Sequence, residues 1–431
     1  MKAAIKKNGS FSSEIEVPGD KSISHRALIF GAAARGDTFV RNFLNAEDCR
    51  STMLALKAAG TSIIEKEGCL SVSGRAGSFA EPDDVIDCGN SGTTMRLLSG
   101  VFASQPFYTV LTGDGSLRQR PMNRIIEPLR MMGAEIDARE GGMYPPVTIK
   151  GGKLAGIDYT MPVASAQVKS CIILAAILSG GKTVINEPVA SRDHTERMLA
   201  YLGGNIRKRG SRIIIGGKQE LRGKEVVVPG DFSSAAYFMA APLMTGNSRI
   251  MVKNVGLNPT RTGFIDVIKR MGADVRISGV KELSGEPAGD VEVRSGPLHG
   301  TEISPREVPV IIDEIPLIAV LASVSSGTTS ISGAGELKVK ESDRLNAIAC
   351  ELGKMEAAIS ATEDGLVIEG RESLKSAMLD SWNDHRIAMS LSVAALKAEG
   401  SSEIANFECV NISFPSFARL FQNVGAGITF S

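Results

Sequence analysis

A run of small and apolar residues that opens on a polar cluster occurs six times along the chain. Within residues 165–178, apolar side chains recur at spacings of three and four positions, which predicts an α-helix. The runs are apolar on nearly every side, so we expect these helices to be buried. They recur at intervals of roughly 70 residues, with starts at Gly19, Gly89, Ala164, Gly230, Ile312 and Asn383.

A second helix follows each run and ends at a matching place. A glycine just past a helix favours a left-handed C-cap, and the β-branched residues that come next predict strands. Each copy therefore predicts the order β-α-β-α-β-β, and the chain predicts six such units, most simply grouped as three per lobe. Five copies end at a glycine and the remaining one at Glu356; the glycines are Gly60, Gly133, Gly203, Gly272 and Gly425.

The sequence Val-Pro-Gly-Asp occurs twice, at residues 17–20 and 228–231. Each copy directly precedes one of the predicted buried helices. The repeat indicates two crossings of the chain between the lobes.

The composition narrows the possible functions. The 431 residues carry 48 Lys and Arg against 48 Asp and Glu, so the net charge of +0 gives no overall signature of a nucleic-acid-binding protein. No apolar stretch approaches the roughly 18 residues of a membrane helix, and the N-terminus lacks the apolar segment of a secretory signal. The six cysteines form no CxxC pair, which argues against zinc or a disulfide framework. We therefore expect a soluble, cytoplasmic protein with no metal or other cofactor.

The predicted helix starts carry polar side chains. A first helical turn has unpaired N–H groups and a positive dipole end, which makes it a ready anion site. A cation there opposes the dipole and needs another reason, and Lys21, Arg26 and Arg386 occupy such positions. If the buried helices of each lobe run parallel, their starts converge on one positive cleft. Plain helix capping is the favoured alternative for four serines, Ser22, Ser91, Ser165 and Ser233.

Charged residues also lie in the turns between helices. They are Arg118, Arg120 and Arg124 around one helix start, and Lys338, Lys340, Glu341 and Arg344 before another. Such residues commonly form only a solvated face, and that alternative is serious for Arg118, Arg124 and Lys338. Asp313 lies between two apolar stretches, so we favour it as a base, with a buried helix cap as the equal alternative. Lys21, Glu341 and His385 complete the titratable candidates.

Six motifs closely resemble those of the 5-enolpyruvylshikimate-3-phosphate synthase (3-phosphoshikimate 1-carboxyvinyltransferase) family: GDKSISHRAL, GNSGTTMRLLSG, LTGDGSLRQRPM, SAQVKS, KVKESDRL and WNDHRIAMS, in this order. The resemblance covers essentially the whole chain. It implies an α/β fold, a two-lobed inside-out α/β barrel of six βαβαββ repeats, with residues 20–229 in the first lobe and residues 1–19 and 230–431 in the second. The implied protein is a monomer with no nucleic-acid or membrane partner.

The same resemblance implies transfer of the enolpyruvyl group of phosphoenolpyruvate to the 5-hydroxyl of shikimate 3-phosphate, with release of phosphate. The residues it assigns to shikimate 3-phosphate are Lys21, Ser22, Arg26, Ser165, Gln167, Arg192, Asp313 and Lys340. Those it assigns to phosphoenolpyruvate are Lys21, Gly92, Arg120, Gln167, Arg344 and Arg386. Proton transfer falls to Asp313, Glu341 and Lys21, with Asp313 taking the hydroxyl proton. Three further positions are expected behind the residues that contact the substrates, without an assigned contact of their own: Asn90, Ala166, where many relatives have a serine, and His385.

Two departures from the family pattern point to a subgroup. Ile412 occupies a place where some relatives have a lysine, and Leu97 follows Arg96 where those relatives have a proline. Together they resemble the family's second class, which is often less sensitive to the herbicide glyphosate.

Two other functions remain as alternatives. The sister enzyme that acts on UDP-N-acetylglucosamine usually has a cysteine in the loop before its Arg-Pro pair, and this chain has Gly115 at about that position. An RNA-terminus cyclase or a non-catalytic scaffold built from related units would need a basic face or an aromatic stacking platform. The neutral charge and the single tryptophan argue against the latter class.

Overall fold

A computed structural model describes residues 1–6, 9–66 and 68–431. Its internal contacts divide the chain into two compact units. The first unit comprises Gly19–Pro229 and Glu282–Glu286. The second unit comprises Met1–Pro18, Gly230–Lys281 and Pro287–Ser431.

Most of the strands are short, and the longest, Asp274–Leu283, has ten residues. Up to Pro229 they are β1 (Ala3–Lys6), β2 (Ser12–Glu16), β3 (Asp37–Arg41), β4 (Ile63–Lys66), β5 (Cys69–Ser73), β6 (Ile86–Asp87), β7 (Tyr108–Thr112), β8 (Glu135–Ala138), β9 (Tyr144–Lys150), β10 (Asp158–Thr160), β11 (Lys182–Asn186), β12 (Ile206–Arg209), β13 (Arg212–Gly216) and β14 (Glu225–Val227). Beyond it they are β15 (Arg249–Gly256), β16 (Asp274–Leu283), β17 (Glu286–Arg294), β18 (Glu302–Ile303), β19 (Thr328–Ile331), β20 (Ala358–Ala361), β21 (Leu366–Glu369), β22 (Leu374–Lys375), β23 (Met378–Asp380), β24 (Ala398–Glu399), β25 (Ser401–Ala405) and β26 (Gly427–Phe430).

The helices alternate with these strands. They are α1 (Lys21–Ala33), α2 (Glu47–Ala58), α3 (Gly92–Phe102), α4 (Asn123–Met131), α5 (Arg139–Gly142), α6 (Ala166–Leu178), α7 (His194–Tyr201), α8 (Phe232–Met244), α9 (Gly263–Arg270), α10 (Val308–Ile311), α11 (Ile315–Ala322), α12 (Arg344–Lys354), α13 (His385–Ala395) and α14 (Phe417–Asn423). Short 3-10 helices cover Leu117–Gln119, Gly335–Val339 and Phe407–Ile412.

One sheet pattern recurs six times in the described part of the chain. An edge strand pairs in parallel with a second strand, which pairs antiparallel with a third. The first unit holds the sheets β14-β3-β5-β4, β6-β7-β9-β8 and β10-β11-β13-β12. The second unit holds β16-β17-β15-β2, β18-β19-β21-β20 and β23-β25-β1-β26, with β22 and β24 as a separate pair. The predicted α/β fold of six repeats, three in each unit, is confirmed.

Three helices form the centre of each unit. In the first unit α1, α3 and α6 are buried along most of their length, and α3 packs against both others. In the second unit α8, α11 and α13 are buried along their whole length and pack on one another. Strands such as β3, β15 and β25 pack against these helices. The expectation that these helices are buried is therefore confirmed.

The ends of the second helices follow the predicted cap. The backbone φ lies between 81° and 106° at the five expected glycines and is 61° at Glu356. Glu356 thus adopts the same left-handed conformation without the freedom of a glycine. The six buried helices begin two or three residues after the predicted starts, and after α10 the chain makes a turn before α11 begins at Ile315. Pro316 fits that first turn, where an N–H group would have no helical partner.

Candidate active site

The capping residues of the buried helices come from more than one position in the motifs. Ser91 Oγ accepts a hydrogen bond from the Thr94 amide, and Ser165 Oγ accepts one from the Val168 amide, so capping is confirmed for these two serines. The capping prediction is wrong for Ser22 and Ser233, which lie within the first turns of α1 and α8. Their helices are capped by Asp20 and Asp231 instead.

Lys21 is the first residue of α1 and its ammonium group faces a carboxylate. Its Nζ lies 2.9 Å from Oδ2 of Asp48, which belongs to the first turn of α2. Both side chains are partly shielded, with exposed fractions of 21% for Lys21 and 10% for Asp48. Asp48 was not among the predicted site residues, although the NAEDCR segment places an acidic residue at the start of a helix.

Arg26 is a buried cation surrounded by neutral oxygens. Its Nε donates to Thr195 Oγ1 at 2.6 Å, Nη2 to Ser170 Oγ at 2.7 Å and Nη1 to the Ser22 carbonyl at 2.9 Å. Burial lowers the pKa of Arg26 to about 10; the charge of Glu196 opposes this effect, and that of Arg192 adds to it. Arg192 therefore lies within electrostatic reach of Arg26.

Arg120 lies at the end of the 3-10 helix Leu117–Gln119 and is only 8% exposed. Its Nη2 donates to Asn90 Oδ1 at 2.7 Å and to Ser116 Oγ at 3.1 Å, and Nη1 donates to the Asn90 carbonyl at 3.2 Å. Asn90 and Arg120 are therefore joined next to the first turn of α3, where Gly92 is the first residue. The neighbouring Arg118 and the second-unit Lys338 are exposed, as the solvated-face alternative predicts.

The first turns of α3 and α6 are also joined. Arg96 Nη1 donates to Gln167 Oε1 at 2.6 Å, and Gln167 Nε2 donates to Thr93 Oγ1 at 3.0 Å. Ala166, the first residue of α6, has no side-chain group that could donate or accept a hydrogen bond. A Cβ atom at Gly92 would come within 2.8 Å of Arg96 Nη1, so glycine leaves room for that guanidinium.

The second unit gathers carboxylates and guanidiniums around Asp313. Oδ1 of Asp313 lies 3.5 Å from Arg344 Nη1 and Oδ2 lies 3.3 Å from Arg386 Nη2. Asp313 is 13% exposed and lies in the turn before α11. Glu314 is the residue directly before that helix. The buried-cap alternative for Asp313 is wrong, because Glu314 occupies the N-cap position of α11.

Arg344 is the most heavily paired of these cations. Its Nη2 lies 2.6 Å from Glu341 Oε2 and its Nε donates to Asp384 Oδ2 at 2.7 Å. Asp384, which is completely buried and caps α13, was not among the predicted site residues although it stands in the NDHR motif. His385, the first residue of α13, is 2% exposed.

The charges in this cluster compensate one another. Burial lowers the pKa of Arg344, but Asp384 and Glu341 outweigh it, so its pKa lies above the ordinary value. Arg386 behaves in the same way, with Asp313 as the strongest opposing charge. Burial raises the pKa of Asp384, but Arg344 reverses the shift and holds it below the ordinary aspartate range. The partly buried Lys340 is different, because burial keeps its pKa below the usual lysine value despite nearby Asp313.

Buried guanidiniums and carboxylates at the starts of several helices are typical of an enzyme that acts on small anionic substrates. Within the described residues, no helix has the length and apolar character to span a membrane. The family model of EPSP synthase (3-phosphoshikimate 1-carboxyvinyltransferase) matches residues 5–421. The chain belongs to this family and is an enzyme of the transferase class.

Similar proteins agree over nearly the full length. The chain is 49% identical over 427 residues to the 3-phosphoshikimate 1-carboxyvinyltransferase of Carboxydothermus hydrogenoformans, covering 99% of this chain and 100% of that relative. It is 50% identical over 422 residues to the enzyme of that name from Thermoanaerobacter pseudethanolicus, covering 98% and 100%. A solved EPSP synthase structure from Acinetobacter baumannii aligns over 100% of both chains, with 41% identity and a TM-score of 0.89.

Proposed function

We propose that this enzyme transfers the enolpyruvyl group of phosphoenolpyruvate to the 5-hydroxyl of shikimate 3-phosphate. The oxygen of that hydroxyl adds to C2 of phosphoenolpyruvate while C3 gains a proton, which gives a tetrahedral adduct. The adduct then loses a proton from C3 and breaks the bond from C2 to the phosphate oxygen. The products are the enolpyruvyl ether and inorganic phosphate.

Asp313 is the proposed base for the hydroxyl proton. The single observation that carries the proposal is its position between Arg344 and Arg386, at 3.5 and 3.3 Å, within the matched family region. The two guanidiniums favour the carboxylate form that a base needs. Glu341 and Lys21 are proposed to serve the methylene carbon and the departing phosphate.

Shikimate 3-phosphate is proposed to bind Arg26 in particular. A buried guanidinium that donates its described hydrogen bonds to neutral oxygens can pair with a carboxylate or phosphate of a substrate. The other residues proposed for this substrate are Lys21, Ser22, Ser165, Gln167, Arg192, Asp313 and Lys340.

Phosphoenolpyruvate is proposed to bind a different set of cations. Arg120 is preorganised by Asn90 and Ser116, and Arg344 and Arg386 are preorganised by carboxylates. Such fixed charges stabilise developing negative charge without having to reorganise. Lys21, the Gly92 amide and Gln167 complete the proposed set.

Phosphate release tests this proposal. The wild-type enzyme is incubated with phosphoenolpyruvate and either shikimate 3-phosphate or UDP-N-acetylglucosamine. We expect release only with shikimate 3-phosphate, and release only with the sugar nucleotide would overturn the proposal. Asp313→Asn should abolish most of the activity, whereas Glu363→Gln, at an exposed position of the same unit, should leave it unchanged.

We also propose that the enzyme belongs to the glyphosate-tolerant class. The support is the identity of two residues. Ile412 is partly buried and packs against the hydrophobic core of the second unit, and Leu97 is fully buried in α3. The test is to measure the glyphosate concentration that halves turnover at a fixed concentration of phosphoenolpyruvate. Ile412→Lys should lower that concentration, and an unchanged value would remove Ile412 from the explanation.

The remaining expectations concern assembly and location. We propose a monomer that acts in the cytoplasm and binds no nucleic acid, and the balanced charge of the chain supports the last point. Sedimentation of the purified enzyme tests whether it is a monomer, and cell fractionation tests its location. An electrophoretic mobility shift assay with mixed RNA and DNA tests whether it binds nucleic acid.

A further inference from the structure

Four buried side chains form a continuous hydrogen-bond chain across three helices of the first unit. His25 Nδ1 of α1 lies 2.7 Å from Thr52 Oγ1 of α2, and Thr52 Oγ1 lies 2.6 Å from Thr94 Oγ1 of α3. Thr94 Oγ1 then donates to Ser91 Oγ at 2.7 Å, the oxygen that caps α3. The exposed fractions are 0% for the first three residues and 1% for Ser91.

This chain lies one helical turn below the ion pair of Lys21 and Asp48. Lys21 and His25 are four residues apart on α1, and Asp48 and Thr52 are four residues apart on α2, so each pair stands on one helix face. The two helices are therefore joined by two successive contacts, a charged one at the first turn and a neutral one at the second. The neutral contact continues through Thr94 to α3, and Thr94 Oγ1 also lies 3.4 Å from the Asp48 carbonyl.

The hydrogen-bond partners fix the direction of the chain. The Thr94 hydroxyl donates its single proton to Ser91 Oγ, or to the more distant Asp48 carbonyl, so it accepts from Thr52 at 2.6 Å. Thr52 then has no proton left for His25, and His25 must donate from Nδ1. Its Nε2 is buried and has no hydrogen-bond partner among the described residues. Burial, with the charges of Lys21 and Arg26, lowers the pKa of His25 well below the usual value, which agrees with a neutral ring.

We infer that Thr52 is a positioning residue for phosphoenolpyruvate: linked to His25 and Thr94, it fixes the first turn of α3, and with it the Gly92 amide, relative to Lys21. The inference rests on the proposed function, in which Gly92 and Lys21 both contact that substrate. Thr52 carries both links through one oxygen, since its hydroxyl accepts from α1 and donates to α3. Its loss would remove the link through side chains from α1 to α3 and leave the longer hydrogen bond from Thr94 Oγ1 to the Asp48 carbonyl, at 3.4 Å.

Thr52→Val removes the hydroxyl group and keeps the shape of the side chain. Misplaced binding groups weaken binding steeply, so we expect KM for phosphoenolpyruvate to rise about tenfold. The KM for shikimate 3-phosphate should change less than about threefold, because most of its proposed ligands lie on α1 and α6 rather than α3. Thr52→Ser, which restores the hydroxyl group, should return KM for phosphoenolpyruvate close to the wild-type value.

Thr38→Val is the matched control. Thr38 lies in β3 of the same unit, is 0% exposed, and its hydroxyl has no hydrogen-bond partner within the described residues. A general loss of packing would affect both valine variants alike. Equal KM values for phosphoenolpyruvate in Thr52→Val and Thr38→Val, or equal rises for both substrates in Thr52→Val, would overturn the inference.

Hydrogen exchange gives a readout that needs no turnover. Amides in the peptide covering residues 88–98 should exchange faster in Thr52→Val than in Thr38→Val or the wild type, because the cap of α3 loses its support. Unchanged exchange would also overturn the inference. If the wild-type enzyme releases no phosphate from the two substrates, the proposed function fails instead, and the exchange result still decides whether Thr52 holds α3.

Discussion

Individual cations of the candidate site are compensated in two different ways. Arg26 is surrounded by three neutral oxygens and has a pKa lowered to about 10. Arg344 and Arg386 contact carboxylates, which raise their pKa above the ordinary value despite burial. An unpaired buried charge is unfavourable until a ligand supplies the opposite charge, whereas a paired one is already fixed in place. The first kind suits recognition of an anion, and the second suits a rigid electrostatic environment.

Arg120 provides a direct test of fixed charge. Arg120→Ala removes a guanidinium that Asn90 and Ser116 hold in place, and we expect turnover to fall about a hundredfold, as for the loss of other preorganised donors. Arg118→Ala, at an exposed position two residues away, should keep near-normal turnover. Steady-state phosphate release measures both variants. Near-normal turnover in Arg120→Ala would exclude Arg120 from the site.

Lys340 should make kcat/KM for shikimate 3-phosphate fall at alkaline pH. Burial lowers its pKa, so as pH rises Lys340 loses its charge earlier than an ordinary lysine, and binding of the shikimate 3-phosphate anion weakens. The profile of kcat/KM for that substrate reports the free enzyme and should fall on its alkaline side. Lys340→Arg keeps the charge and should move this fall to higher pH, while Lys338→Arg, at an exposed position, should not move it. An unmoved profile in Lys340→Arg would contradict the assignment.

At the scale of helices and strands, local sequence signals were sufficient to predict how most helices end. Glycine predicted the left-handed caps correctly, because that backbone region is open to glycine at little cost. The serine caps were right only at Ser91 and Ser165, because at α1 and α8 the Pro-Gly-Asp turn places an aspartate directly before the helix, two positions ahead of the serine. Serine and aspartate rank almost equally as caps, so composition alone did not separate them.

Glu356 is the element end at which the sequence departs from the repeat. Its φ of 61° is costly for a side chain with a Cβ atom, by about 1–2 kcal/mol, whereas glycine gives up about 0.5–1 kcal/mol in chain entropy. Glu356→Gly should therefore raise the free energy of unfolding by about 0.5–1 kcal/mol. Urea unfolding measures the change. Glu363→Gly, an exposed position outside the left-handed region, should not stabilise the protein, and a gain of equal size there would contradict this explanation.

The partners of the site residues were much harder to predict than the residues themselves. Arg26 was recognised as a cation in an unfavourable place, but its partners Ser170 and Thr195 lie 144 and 169 positions away. Asp48 and Asp384 were not predicted for the same reason, since each pairs with a cation from another helix. A motif states which residue types stand together along the chain. Pairings between helices arise only when the helices of a unit pack together.

At the scale of the whole molecule, the repeat was visible because each copy keeps its own helix starts and caps. The two Val-Pro-Gly-Asp segments mark two of the places where the chain passes from one unit to the other, and the ends of the segment Glu282–Glu286 are the others. Asp20 donates its amide to the Pro229 carbonyl, and Asp231 donates its amide to the Pro18 carbonyl, each at 2.8 Å. The two copies of the tetrapeptide thus make matching hydrogen bonds, each from the aspartate of one copy to the proline of the other.

Gly19 makes the first crossing sensitive to a single methyl group. A Cβ atom there would lie 1.9 Å from the Asn42 carbonyl oxygen and 3.1 Å from Val228 Cγ1, so the main chain itself would have to move. Gly19→Ala should lower the free energy of unfolding by at least about 1–3 kcal/mol, as overpacking commonly does. Turnover should fall as well, because Asp20, which caps α1, and Lys21 follow directly.

Gly246→Ala is the matched change for this prediction. Gly246 is exposed, and nothing lies within 4 Å of a Cβ atom placed there. Its φ is not in the left-handed region, so alanine should be neutral or slightly stabilising. Urea unfolding and phosphate release on both variants complete the comparison. If Gly19→Ala unfolds at the same urea concentration as Gly246→Ala and turns over at the same rate, the close approach of Gly19 to Asn42 does not constrain the crossing.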